Sequence, residues 1–514
     1  MINPMKSKKN VVVIGAGLSG LSAGIYLTSY GFNVTLLERN PSVGGLCTGW
    51  KRQGFNIDGC IHWLTGTKDD HTANHIWKDI GGFENDNDLI YLDTWGDYDY
   101  LGTKVRFLRD YKKAEQEWLA IAPEDKKQIK KFFRMVEAFI NVNLPMDQPP
   151  SMLPINAILK LGFDVSRHPS FLWTMHISTD EYANKFKNPA IRWAIKNVQP
   201  GRGNLFSMIF SYATIAGNSG AVPIGGSKAL VERIKNKYIS LGGELVLNAD
   251  VVDIEIENGK AVSVILTNGK TYVCDYVVSA IDPNYMLRNI LKGHYQVKQI
   301  TKRAEDYKKY PTISSCLITY TIEDVGELSS INAFPIKPIK VGNSNIDFLD
   351  IRNYNYNPKT FVVGNKTVCH TQIHQFDEDY LKWEQLYLDK AIYRKEKERI
   401  AKEVVDRIET QYPQYKGKIN VLDIFTPITL RRYTNVNRGA YMSLFTHDRK
   451  RLSYNGHING LENIFLASQW MLSPGGAPYA IATGKYAALR ICKREKIKVS
   501  TKYKKLLNKA AQNY

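Results

Sequence analysis

The apolar positions of this chain fall into two regimes. Residues 11–14 form a short β-branched run, the pattern of a strand buried on both faces. A glycine-punctuated stretch follows. A helical pattern then covers residues 21–30, closed by Gly31, and a second apolar run covers 33–37. Strand grammar returns over residues 244–280, where Asn258-Gly259 and Asn268-Gly269 turns punctuate alternating strands. It returns once more over 462–490, as a strand, a Pro-Gly-Gly turn and a helix.

Between these blocks the pattern changes. Residues 115–141 predict one or two amphipathic helices, 145–154 a proline-broken connector, and 152–163 and 205–216 apolar patches. Residues 310–322 and 343–353 predict strands. Residues 382–408 predict one charged helix with Leu388, Ile392, Ile400, Val404 and Ile408 on helical spacing, and the charge run over 394–402 is its solvated face. The oiliest stretch, 205–216, is interrupted by Ser207, Ser211, Tyr212 and Thr214. No apolar run reaches the ~18 residues of a spanning helix. No internal repeat stands out.

Composition narrows the picture by exclusion. A hydrophobic share of 44% and a charged share of 23% exclude a disordered, collagen-like or low-complexity chain. At about 150 residues per domain the length predicts two or three domains, with a core large enough to need no disulfide or metal staple. The six cysteines are scattered without a CxxC pair, so no metal site is expected and reduced thiols are. Residues 1–10 carry Lys6, Lys8 and Lys9 without the apolar core of a signal peptide, which points to the cytoplasm.

The formal charge is +19, and residues 485–514 hold ten Lys/Arg against the single acid Glu495. Such a tail suits peripheral contact with an anionic membrane, and equally a solvated terminus. Nucleic acid is not expected, because no recognition motif accompanies the charge.

The chemistry concentrates in residues 10–39. Gly15-Ala16-Gly17-Leu18-Ser19-Gly20 is a full GxGxxG between a strand and a helix, and Glu38 ends the second strand. In such a unit Gly15 permits the turn, Gly17 lets backbone approach a pyrophosphate, and Gly20 lets the helix pack on the strand. The helix N-terminus offers free N–H groups to phosphate. Glu38 can accept ribose hydroxyls and would repel an additional phosphate there. No second GxGxxG occurs, since Gly201-Arg202-Gly203 lacks the third glycine and a preceding strand.

Further blocks carry a resemblance. Pro41-Ser42-Val43-Gly44-Gly45 follows the acid, then Gly54-Phe55-Asn56-Ile57-Asp58-Gly59, then Val222-Pro223-Ile224-Gly225-Gly226-Ser227. Residues 244–280, 426–445 and 462–490, the last containing Pro474-Gly475-Gly476-Ala477-Pro478, complete the order. The whole resembles the flavin amine oxidase superfamily, and most of all its phytoene desaturase, carotenoid isomerase and retinol saturase branch. The resemblance implies an α/β fold: a discontinuous, glutathione-reductase-type Rossmann-like FAD-binding domain with an inserted mixed-sheet substrate domain and a helical lid. The implied segments are 1–75, 221–291 and 446–492 for FAD, 76–220 for the lid, 292–445 for substrate, and 493–514 for a basic tail.

It also implies noncovalent FAD, since no cysteine stands beside the closing motif. The implied contacts are Gly15, Gly17, Leu18, Ser19, Gly20, Glu38, Arg39, Gly44, Gly45, Leu46, Val251, Gln469, Gly476, Ala477 and Ile481. Many members carry an acid where this chain has Gln469. The closing helix would aim its positive end at the flavin ring. Asp58 reads as a residue that fixes backbone. Candidate acid/base groups are His62, Tyr433 and Tyr441, each of which equally suits a structural role.

The resemblance implies an FAD-dependent oxidoreductase that desaturates or saturates C–C bonds of a hydrophobic polyene or isoprenoid lipid. Alternatives are a reduced-flavin-dependent cis–trans isomerase and a flavin amine oxidase. A non-enzyme alternative is a lipid escort resembling GDP-dissociation inhibitors, whose nucleotide site is degraded. The electron donor or acceptor is left open.

Overall fold

The structure is a computed structural model. It describes residues 8–499 apart from 157, 160, 161, 163–169, 200–202 and 445–452. Part of the 152–163 patch, most of the Gly201-Arg202-Gly203 segment, Phe445 and residues 500–514 of the basic tail thus lie outside the described residues.

Strands from far-apart blocks build one parallel sheet, in the order Glu244–Val246, Asn33–Leu37, Asn10–Ile14, Tyr276–Ser279 and Ile464–Leu466. The central strand is apolar at four successive positions because it is covered on both faces, Val11 and Val13 by helices and Val12 and Ile14 by strands of an antiparallel meander. Helices Leu18–Ser29, Gly226–Ser240 and Ala477–Arg494 pack together against this sheet and share one core with it. An antiparallel meander of Val251–Glu257, Lys260–Leu266 and Thr271–Val273 lies beside it. Its first turn places Asn258 and Gly259 at φ 48° and 77°, the left-handed pair that an Asn-Gly hairpin uses.

The second body is a mixed sheet of nine strands. Its main path runs Ile419–Phe425, Thr312–Glu323, Lys366–Phe376, Ser344–Asn353, Ile331–Val341, Thr94–Tyr100 and Thr103–Leu108. One face packs on helices Asp377–Tyr387 and Lys390–Gln411 through Cys316, Ile318, Tyr320, Trp383, Ile400 and Val404. The other face is turned to a cavity. Helices Tyr111–Ile121, Lys126–Ile140, Pro189–Asn197 and Leu205–Ala216 form an aromatic-rich layer over it, with Trp118, Phe132, Phe133 and Tyr212 at its centre.

Two sequence expectations need correction, and one strand went unread. Residues 76–220 are not helical throughout: the hairpin Thr94–Tyr100/Thr103–Leu108 joins the large sheet, its strand Thr94–Tyr100 pairing with Ile331–Val341. Its turn is Leu101-Gly102, both at positive φ, without the Asn or Asp that would mark it. The 382–408 pattern is two helices, because Asp389 accepts hydrogen bonds from the Ala391 and Ile392 amides and starts a new helix. Leu388 and Ile392 therefore leave the buried stripe, and Leu388 is 85% exposed. The strand Ile331–Val341 was hidden by Pro335 and Pro338, which sit where the pairing slips register.

No described helix is long and apolar enough to cross a membrane. All six cysteines are free thiols.

Candidate functional site

A cavity of about 750 Å³ runs between the parallel sheet, the mixed sheet and the helical layer. One end is built of bare backbone. Gly15 sits at φ +96°, so the chain turns tightly after its strand, and Gly17 caps the helix Leu18–Ser29. The second glycine pair closes onto this loop, with the Gly44 amide donating to the Ala16 carbonyl at 2.9 Å. Glu38 is buried beside it. Its carboxylate accepts from the Ala16 amide at 2.8 Å and from the Asn40 amide at 2.9 Å.

Gly17 has ordinary backbone angles, φ −74° and ψ −179°, which any residue could adopt. A Cβ there would meet protein no closer than 3.7 Å. The fold itself therefore does not require glycine at this position, and its absence of a side chain leaves the loop bare toward the cavity. Gly20 is the opposite case, since its Cβ would lie 1.8 Å from the Gly15 carbonyl oxygen. Gly20 serves packing and does not line the cavity.

At the far end, Gly476 caps the helix Ala477–Arg494, whose N-terminus opens on the cavity. Gln469 holds this corner in place of an acid. Its Oε1 accepts from the Gly476 amide at 2.7 Å, and its Nε2 donates to the Tyr441 carbonyl at 2.9 Å. It is thus occupied with backbone rather than presenting a charge.

Asp58 fixes the strand Phe55–Asp58 to the start of the helix Gly226–Ser240. It accepts from the Ser227 amide at 2.7 Å, the Ser227 hydroxyl at 2.6 Å and the Cys60 amide at 2.9 Å. Burial pushes its carboxyl up from the ordinary range, and these hydrogen bonds oppose that shift. Asp58→Ala should lower unfolding free energy by about 2–3 kcal/mol, read from urea denaturation, because it strands Ser227 and Cys60 donors in a buried site.

Of the remaining expected contacts, Leu18, Ser19, Arg39, Gly45, Leu46, Val251 and Ala477 line the cavity. Ile481 does not. It is fully buried in the core, where its carbonyl accepts from the Ser22 hydroxyl at 2.7 Å.

The three acid/base candidates separate. His62 and Tyr441 line the cavity near the mixed sheet. Tyr433 lines the cavity at the glycine-loop end, where its carbonyl accepts from Asn40 Nδ2 at 3.0 Å, and it is 54% exposed. The helix Pro427–Thr434 ends there, with Asn435 in the left-handed conformation turning the chain away. Tyr433 is therefore a rim residue, apart from His62 and Tyr441.

Burial, with Arg352, His370 and His374 nearby, pushes the His62 imidazole well below its ordinary range, so it is neutral. Burial pushes the Tyr441 phenol up, and its hydroxyl lies 3.2 Å from His374 Nδ1. His374 and Gln372 share a strand face with Arg352 of the neighbouring strand, and all three line the cavity. These sheet residues were missed from sequence. The signal was the two-residue spacing of His370, Gln372 and His374, which puts them on one face of the strand Lys366–Phe376.

The cavity's remaining wall is aromatic and apolar: Trp63, Trp95, Phe171, Phe206 and Phe210, with Gln199 donating to the Ser211 hydroxyl at 2.7 Å. Among the described residues its carboxylates are Glu38, Asp58, Asp250 and Asp282, none of them on the mixed sheet or the helical layer.

Residues 18–492 match the model of the flavin containing amine oxidoreductase family. The chain belongs to that family. Its cofactor is accordingly a flavin, and the bare glycine cradle fits one.

Among curated relatives, a lycopene-forming phytoene desaturase of Pseudescherichia vulneris is 25% identical over 61% of this chain and 63% of its own length. A chloroplastic prolycopene isomerase of Daucus carota is 22% identical over 84% of this chain and 71% of its own. The chain thus spans about six-tenths of the length of the desaturase. Solved structures agree on the fold. An oxidoreductase from Methanosarcina mazei gives a TM-score of 0.59 at 14% identity over 94% of this chain and 100% of its own. Putrescine oxidase bound to putrescine gives 0.55 at 14% identity over 95% of this chain and 99% of its own.

Proposed function

We propose that the chain is an oxidoreductase that holds FAD noncovalently and acts on C–C bonds of a hydrophobic polyene, as a desaturase or saturase. In this reading the parallel-sheet body is a glutathione-reductase-type FAD domain, the mixed sheet is the substrate domain, and the helical layer is its lid. The observation that carries it is the cavity's division: bare backbone and Glu38 at one end, aromatic walls at the other.

Glu38 and Val251 would hold the adenosine half, Gly17 and Gly45 the phosphates, and the Gly476–Ala477 helix end the ring. Hydride exchange with a C–C unit is the chemistry FAD supplies when bound. The protein's own part is to exclude water with Trp95, Phe206 and Phe210, to orient an extended apolar chain, and to govern protons. The Tyr441 phenol, held protonated by burial, can donate one; the neutral His62 imidazole can accept one. A cationic amine is a poor occupant, because among the described residues the mixed sheet and the helical layer put no carboxylate on the cavity and the sheet presents Arg352.

A second reading, redox-neutral isomerisation on reduced flavin, is favoured by the longer match to the prolycopene isomerase. One experiment separates them: reduce the purified protein anaerobically, add polyenes and unsaturated lipids, and follow flavin reoxidation with product mass. A product two hydrogens heavier, with reoxidation, is the saturase outcome. Unchanged mass with altered double-bond geometry is the isomerase outcome. If only primary or secondary amines exchange electrons with the flavin, the polyene reading fails.

A further inference from the structure

Among the described residues, the aromatic end of the cavity contains one permanent charge that neither cofactor binding nor folding uses fully. Arg352 projects from the strand Ser344–Asn353 onto the cavity floor, with its side chain 13% exposed. Its Nε donates to Asp350 Oδ2 at 2.8 Å. Among the described residues, no acceptor takes a hydrogen bond from either of its terminal nitrogens. Guanidinium cannot shed its proton to escape burial, and a buried charge with unmet donors is costly unless something completes it.

The surroundings do not complete it. His370, across the strand pair, is fully buried, and its Nδ1 lies 3.4 Å from the Tyr354 hydroxyl. Asp350 already accepts the Gln372 amide at 3.0 Å as well as Arg352 Nε. A hydrocarbon placed against this floor would bury the free donors without satisfying them. A planar carboxylate would satisfy both terminal nitrogens side by side.

We infer that Arg352 anchors the carboxylate terminus of an unsaturated chain whose apolar body lies along the aromatic wall. The substrate class is then a polyunsaturated or polyenoic acid rather than a pure hydrocarbon. This rests on the reading above that the cavity holds a polyene, and it makes Arg352 a specificity residue on the same cavity floor as His374.

The test uses the flavin-loaded protein and three probes of equal chain: a C18 polyunsaturated fatty acid, its methyl ester and its alcohol. Binding is read from perturbation of the flavin absorption spectrum. The acid should bind at least about tenfold tighter than ester or alcohol, the worth of a charge-assisted hydrogen bond. In Arg352→Met/Asp350→Asn, which removes the ion pair together, that preference should vanish while ester affinity stays. Arg352→Lys should keep part of it.

If acid, ester and alcohol bind alike, the anchor is wrong while the polyene reading stands. If none of them binds, nor a polyene hydrocarbon, both fall. If the double variant purifies folded but without flavin, Arg352 belongs to the cofactor and the inference is overturned.

Discussion

Gly17→Ala is expected to leave a folded protein that has lost its flavin. The two halves of that statement come from separate observations. Gly17 has φ −74°, where alanine is unstrained, and a new methyl would meet protein only at 3.7 Å and beyond. The apoprotein should therefore melt at the wild-type temperature or slightly above it, since alanine restricts the unfolded chain. The methyl must instead stand in the cavity, between the two glycine loops where backbone lies open to phosphate. Forcing it into a packed contact costs up to about 3 kcal/mol, or about 100-fold in flavin affinity. Visible absorption of the purified protein and a flavin titration give the second half; far-UV circular dichroism and melting give the first. Gly20→Ala is the contrast, because its methyl collides with the Gly15 carbonyl at 1.8 Å and should destabilise the apoprotein itself. A Gly17→Ala protein with normal flavin content would move the phosphate path away from this loop.

That contrast marks what could be read from sequence. The dinucleotide unit announces itself because each part sits within 30 residues and has one physical job: strand, turn, helix, strand, acid. The rest of the parallel sheet was legible only through the resemblance, because its strands come from separated blocks. The cavity floor was not legible. Arg352, Gln372 and His374 become neighbours only through strand pairing, and one residue of slip would turn them into the opposite core. Tyr433 shows the converse case. It sits in a motif-rich segment, yet a left-handed Asn435 two residues later carries it to the rim. Gln469 shows a third case, in which a motif side chain is spent on holding backbone.

The same buried histidines make the protein sensitive to mild acid. Burial, aided by Arg352, pushes His370 and His374 from their ordinary 6.5 down to about 3. The folded state keeps both rings neutral, whereas the unfolded chain protonates them below about pH 6.5. The unfolded state thus binds more protons throughout that window, and stability is full above it and falls as pH falls. Each ring contributes about 1.4 kcal/mol per pH unit, so the pair should cost about 4 kcal/mol at about pH 5. His62 adds in the same direction. His370 is the ring to remove, because it is fully buried, does not line the cavity and has no partner at Nε2. In His370→Leu the slope of unfolding free energy against pH, from urea midpoints at fixed flavin concentration, should drop by about 1.4 kcal/mol per unit. Parallel slopes for wild type and variant would mean that the ring titrates in the folded state, and that water reaches a cavity floor that this packing keeps dry.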